Sequence, residues 1–97
     1  MDEKTRAYNA KILTELQEAK ARLEELEARS KAEDEQVALD LINQLKSTCQ
    51  KVEKQREGLT TSAVEEMDEE KAEIDAGLAK LRTGLLEIDT RLKRKAA

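Results

Sequence analysis

The chain reads as all-α, in the form of an elongated antiparallel helical hairpin or coiled coil. Three observations carry this reading. Apolar residues recur at alternating steps of three and four, the a/d spacing of packed helices. Of 97 residues, 41% are charged, 1% aromatic and none proline, a composition suited to long helices and short of the large side chains that fill a globular core. One short stretch, Glu57-Gly58-Leu59-Thr60-Thr61-Ser62-Ala63-Val64-Glu65, sets a helix stop directly against a helix start. The expectation is a single helical domain over 1–97, with a first helix at about 3–57, a turn at 58–62 and a second helix at about 63–95.

The first helix is justified by the seam Ile12, Leu16, Ala19, Leu23 and Leu26. That seam fades through Ser30, Glu33 and Val37. It returns one residue out of phase at Ile42, Leu45, Cys49, Val52, Arg56 and Leu59, with Leu41 beside it. A phase shift of this kind is either a stutter inside one helix or a second turn. Ser30 followed by Glu33 has the capping-box spacing, which favours a turn. The lack of Gly and Pro between Met1 and Glu57, with Lys31, Ala32 and Glu33 all tolerant of helix, favours continuity. The continuous helix is the reading adopted, and a three-helix bundle with a second turn near Ser30 is the alternative.

In the turn, Gly58 can take the left-handed conformation that closes a helix, with Leu59 packing back on the last turn. Ser62 and Glu65 then form the capping box of the next helix. The second helix rests on Val64, Met67, Ile74, Leu78, Leu81, Leu85, Ile88 and Leu92, with Lys71 the one polar interruption. Ile74, Leu78, Leu81, Leu85 and Ile88 are expected to hold the hairpin closed. Gly77 and Gly84 lie seven residues apart on one edge of this seam, and each costs roughly 1 kcal/mol against alanine inside a helix. They mark either drift at an exposed position or the close approach of a neighbouring helix, which Ala76 and Ala79 would also permit.

Charge favours the hairpin. Folded back about Thr60, it sets the acidic run Glu65, Glu66, Asp68, Glu69, Glu70 and Glu73 against Lys46, Lys51, Lys54 and Arg56. It also sets Arg91, Lys93, Arg94 and Lys95 against Glu24, Glu25 and Glu27. A turn near Ser30 instead brings Glu24, Glu25 and Glu27 toward Asp34, Glu35 and Asp40, like against like. Acids at the start and bases at the end of the last helix also suit its macrodipole without any partner. In the hairpin the first arm is longer by about 20 residues, or roughly 30 Å at 1.5 Å per residue. Its N-terminal seam is then uncovered, and an uncovered apolar seam marks an interaction site. Ile12, Leu16, Leu23 and Leu26 are therefore the expected partner-binding residues, with a homodimer or a helical protein partner to cover them.

Catalytic chemistry is not expected. Histidine is absent, which removes the commonest general base and metal ligand. Cys49 occupies a seam position and reads as a small buried apolar residue. The three glycines are scattered, so no phosphate-binding loop is present. The Glu65 to Asp75 carboxylates are explained as a helix start without a metal, and Arg91 to Lys95 as a solvated helix end. Tyr8, the only aromatic, stands as a partner anchor or a residue near a frayed end. No cofactor, metal, nucleic acid or small-molecule substrate is expected, and a net charge of −4 agrees with the third of these. No apolar run is long enough to span a membrane, and the acidic start lacks a signal-peptide core. The cytoplasm is the expected compartment, with secretion lacking a cleaved signal left open. The functional expectation is a non-catalytic helical interaction protein: a coiled-coil adaptor, scaffold segment or assembly subunit. The alternative is a small secreted or chaperone-type helical hairpin that accompanies a cargo protein.

Overall fold

The computed structural model describes residues 3–59 and 64–96, with the side chains of 64–67 and 96 set aside. Three helices occupy them: α1, Glu3–Ala32; α2, Gln36–Gly58; and α3, Val64–Ala96. Each packs on both others in a body of 49 × 17 × 16 Å. The long dimension is that of α3 itself, since 33 residues rise to roughly 50 Å.

This corrects the two-helix hairpin with a continuous helix over 3–57; the chain breaks at Glu33-Asp34-Glu35. Ser30 belongs to the last turn of α1, where its hydroxyl donates to the Leu26 carbonyl at 2.7 Å. Asp34 adopts φ 52°, a left-handed conformation that Asp tolerates better than most side chains. Its N–H donates to the Lys31 carbonyl at 3.2 Å, and the Glu35 N–H reaches back to the Ser30 carbonyl at 2.9 Å. Those two bonds form a Schellman closure with Asp in the place usually held by Gly. Glu35 then stands as N-cap of α2 with extended backbone and no side-chain capping bond.

Gly58 also departs from expectation. It is the last residue of α2, and no glycine has positive φ. Leu59, the C-cap, is fully buried and donates its N–H to the Arg56 carbonyl at 3.2 Å. The capping box of Ser62 and Glu65 lies outside the described residues, as do Thr60 and Thr61 and the side chains of Val64, Glu66 and Met67.

The core is one continuous seam from all three helices. Ile12, Leu16, Ala19, Leu23 and Leu26 from α1 meet Ala38, Ile42, Leu45, Cys49 and Val52 from α2 and Ile74, Leu78, Leu81, Ile88 and Leu92 from α3; all are buried, with Leu85 packed against them and partly exposed. Cross-helix polar contacts fix the register. Between α1 and α2, Lys20 pairs with Glu53 at 2.8 Å and Lys46 pairs with Glu27, so these helices run antiparallel. Between α1 and α3, Tyr8 meets Asp75, Glu15 meets Arg82 and Arg22 meets Asp89. The constant spacing of those pairs defines a parallel arrangement. On the other side of α3, Lys95 reaches Glu35 at 3.8 Å and the Asp34 carbonyl at 3.3 Å, while Gln55 donates to Glu73 at 2.9 Å. The topology is up-down-up.

Gly77 and Gly84 find their explanation here. A Cβ on Gly84 would fall 2.6 Å from Leu45 Cδ2 and 2.7 Å from Cδ1, and one on Gly77 would fall 2.5 Å from Val52 Cγ2. Both glycines receive side chains of α2.

Candidate interaction face

The four residues expected to touch a partner are all inside the bundle. Ile12, Leu16, Leu23 and Leu26 are 0–2% exposed, because α2 folds back over α1 at Asp34 and leaves no overhang. The structure brings them together as core, which corrects their assignment as a partner-binding seam.

Tyr8 is likewise engaged within the chain. Its hydroxyl donates to Asp75 Oδ1 at 2.8 Å, with the Lys71 carbonyl oxygen also in range at 3.1 Å. The Lys71 ammonium lies 5.2 Å from its ring centroid, a cation–π distance. Lys71 therefore interrupts the α3 seam for a reason: it covers the aromatic ring of α1. Burial, followed by the hydrogen bond to Asp75 and that carboxylate's charge, pushes the Tyr8 phenol well above its ordinary value.

Little chemistry is gathered elsewhere. Burial raises the Cys49 thiol above its usual range, opposed by the nearby Lys20 and assisted by Glu53, so the thiolate that a nucleophile requires is disfavoured. Among the described residues no three His, Cys, Asp or Glu side chains come together as a metal site. No helix among them is long and apolar enough to cross a membrane. The charged ties include cross-helix contacts and pairs within one helix, Lys31–Glu27 in α1 and Lys93–Asp89 in α3. Lys46 and Lys31 hold Glu27 below its ordinary value, Lys20 does the same for Glu53, and Lys93 leads in lowering Asp89, with Arg22 and Arg29 contributing.

What stands out on the surface is the side of α3 turned away from the core. Ala72, Ala76, Ala79, Thr83, Leu86 and Thr90 are all exposed and recur at steps of four and three. They make a second seam of a/d spacing opposite the buried one, and it carries no charge. Leu86 is 68% exposed, the most of any large apolar residue among those described. An open groove of about 780 Å³ runs past it, lined also by Glu35, Arg91, Arg94 and Lys95. The equivalent row of α1, Ala10, Thr14, Gln17, Ala21, Glu24 and Ala28, is interrupted by Gln17 and Glu24. That of α2 carries Asp40, Asn43, Ser47 and Lys54.

Sequence reasoning finds Ala76 and Ala79 only as neighbours of the glycines. The signal available was the six-residue uncharged row itself, a phase of the same helix half a turn from the Leu/Ile seam. Compared with protein-family models, curated proteins and solved structures, the chain finds no match.

Proposed function

We propose that this chain is a non-catalytic helical interaction protein, an adaptor, scaffold segment or assembly subunit, that docks a partner helix on the outer face of α3. The observation that supports the reading is the uncharged row from Ala72 to Thr90 with Leu86 standing 68% exposed, in a chain of which 41% of residues are charged. Small side chains let a second helix approach closely, Leu86 supplies an apolar knob, and the charged rows on either side can set register. The lone buried Cys49 suits a reducing compartment, and the cytoplasm is the location proposed.

The test is a comparison of tagged wild-type protein with Leu86→Glu, each expressed in its native cells and analysed for bound proteins. Leu86 is exposed, so the variant keeps its fold, which circular dichroism verifies. A bound protein, this chain's own untagged copy included, retained by wild type and lost with Leu86→Glu supports the reading. Identical bound sets overturn it.

A further inference from the structure

The rows that flank the outer seam of α3 are charged in a pattern that matches itself. On one side stand Glu73, Lys80, Glu87 and Arg94, all exposed; on the other stand Asp68, Asp75, Arg82 and Asp89. In a parallel two-stranded coiled coil, the flanking residue just before an a position faces the partner's flanking residue five further along. Applied to two copies of α3, that rule sets Asp75 opposite Lys80, Arg82 opposite Glu87 and Asp89 opposite Arg94 of the second copy. These three pairs are of opposite sign, and the two-fold axis makes each of them twice; by the same rule Glu73 faces Asp68 of the second copy, like against like, beside Ala72 at the end of the seam.

From this charge complementarity, resting on the reading of α3's outer row as a docking face, we propose that the occupant is a second copy of this chain. The two α3 helices lie parallel and in register, with Leu86, Thr83 and Ala79 each against their own symmetry mates. The fold leaves room for this. Asp75, Arg82 and Asp89 lean toward α1, where they meet Tyr8, Glu15 and Arg22. Among the described residues Lys80, Glu87 and Arg94 have no intrachain ion pair, so each intermolecular pair contains one charge that the bundle does not use. Asp89 already faces Arg22, Arg29 and Lys93, which makes Arg82–Glu87 the pair of choice for a test.

Mass is measured by light scattering over a concentration series for wild type, Glu87→Lys, the double variant Arg82→Glu with Glu87→Lys, and Leu86→Glu. The expected result is a wild-type dimer that Leu86→Glu dissociates and that Glu87→Lys weakens about ten-fold, since two symmetry-related contacts become repulsive. The double variant restores association, because the swapped pair is again of opposite sign in the parallel register; in an antiparallel pair the two altered positions would face other residues and restoration would fail. A wild-type chain that stays monomeric at high micromolar concentration overturns the self-docking. So does a dimer indifferent to Leu86→Glu, or one weakened by Glu87→Lys that the added Arg82→Glu fails to restore. A monomeric chain whose other bound proteins depend on Leu86 would sink the second-copy occupant while leaving the docking face standing.

Discussion

Gly84 shows how much a single position contributes to this bundle. Beyond the methyl clashes with both δ carbons of Leu45, its Cβ would lie 3.1 Å from Leu45 Cγ, and Leu45 is 4% exposed with little room to turn. Overpacking of this kind costs typically 1–3 kcal/mol, against a helix-propensity gain of about 1 kcal/mol for Gly to Ala. Gly84→Ala is thus expected to lower stability, by about 1 kcal/mol in urea unfolding. Gly58→Ala serves as the control: nothing lies within 4 Å of its Cβ and its φ is not positive, so a gain of roughly 0.5 kcal/mol is expected. A Gly84→Ala variant as stabilised as Gly58→Ala would mean that α2 does not seat Leu45 there. The seven-residue spacing of the glycines was legible in the sequence, but which helix they admit was not, because that depends on register between α2 and α3. Asp34 was less legible still. Left-handed helix closures are signalled by Gly and Asn, and an Asp between two Glu residues reads as surface helix.

At the level of the elements, the seams themselves were readable and their partners were not. The phase shift between Leu26 and Ile42 is the true mark of the break between α1 and α2. The absence of Gly and Pro argues against a break only so long as Asp34 is not counted as a closing residue. The charge argument misleads for a related reason. A turn at Ser30 brings Glu24 and Glu27 toward Asp34 and Asp40, but a turn at Glu33 to Glu35 moves Lys46 opposite Glu27 and Glu53 opposite Lys20. A shift of a few residues in the turn converts repulsion into pairing. With α1 covered along its length, Leu16 is 1% exposed. Leu16→Glu is expected to bury a carboxylate without a partner, at a cost of at least about 3 kcal/mol, and to abolish cooperative unfolding or shift it sharply to lower urea. A folded Leu16→Glu variant with helix content unchanged would place this seam at the surface after all.

For the whole molecule, cross-helix ion pairs tie the three helices into one register, and acid should loosen them together with the pairs within one helix, Lys31–Glu27 and Lys93–Asp89, that share their carboxylates. Glu27 and Glu53 are held below their ordinary value of 4.5 and Asp89 below 3.8. In each case the folded state binds its proton less readily than the unfolded chain does, so the stability is present above these values and is lost as pH falls through the lowered ones. The urea midpoint is expected to be flat near neutral pH and to fall below about pH 4.5, less steeply at high salt because these contacts are solvent-screened. A midpoint that rises on acidification would contradict the assignment of the ties. The account as a whole depends on α1 lying parallel to α3, since that closes the seam from Ile12 to Leu26 and leaves the outer row of α3 as the free face. Cysteines at Lys4 and Asp68, with Cys49 replaced by Ala and spin labels attached, read this directly when the labelled chain is diluted in unlabelled protein. Parallel packing of α1 on α3 predicts a separation under about 20 Å, given helix axes roughly 8–10 Å apart. A distance near ~70 Å, the separation in a two-helix hairpin with a continuous first arm at ~1.5 Å per residue, would contradict it.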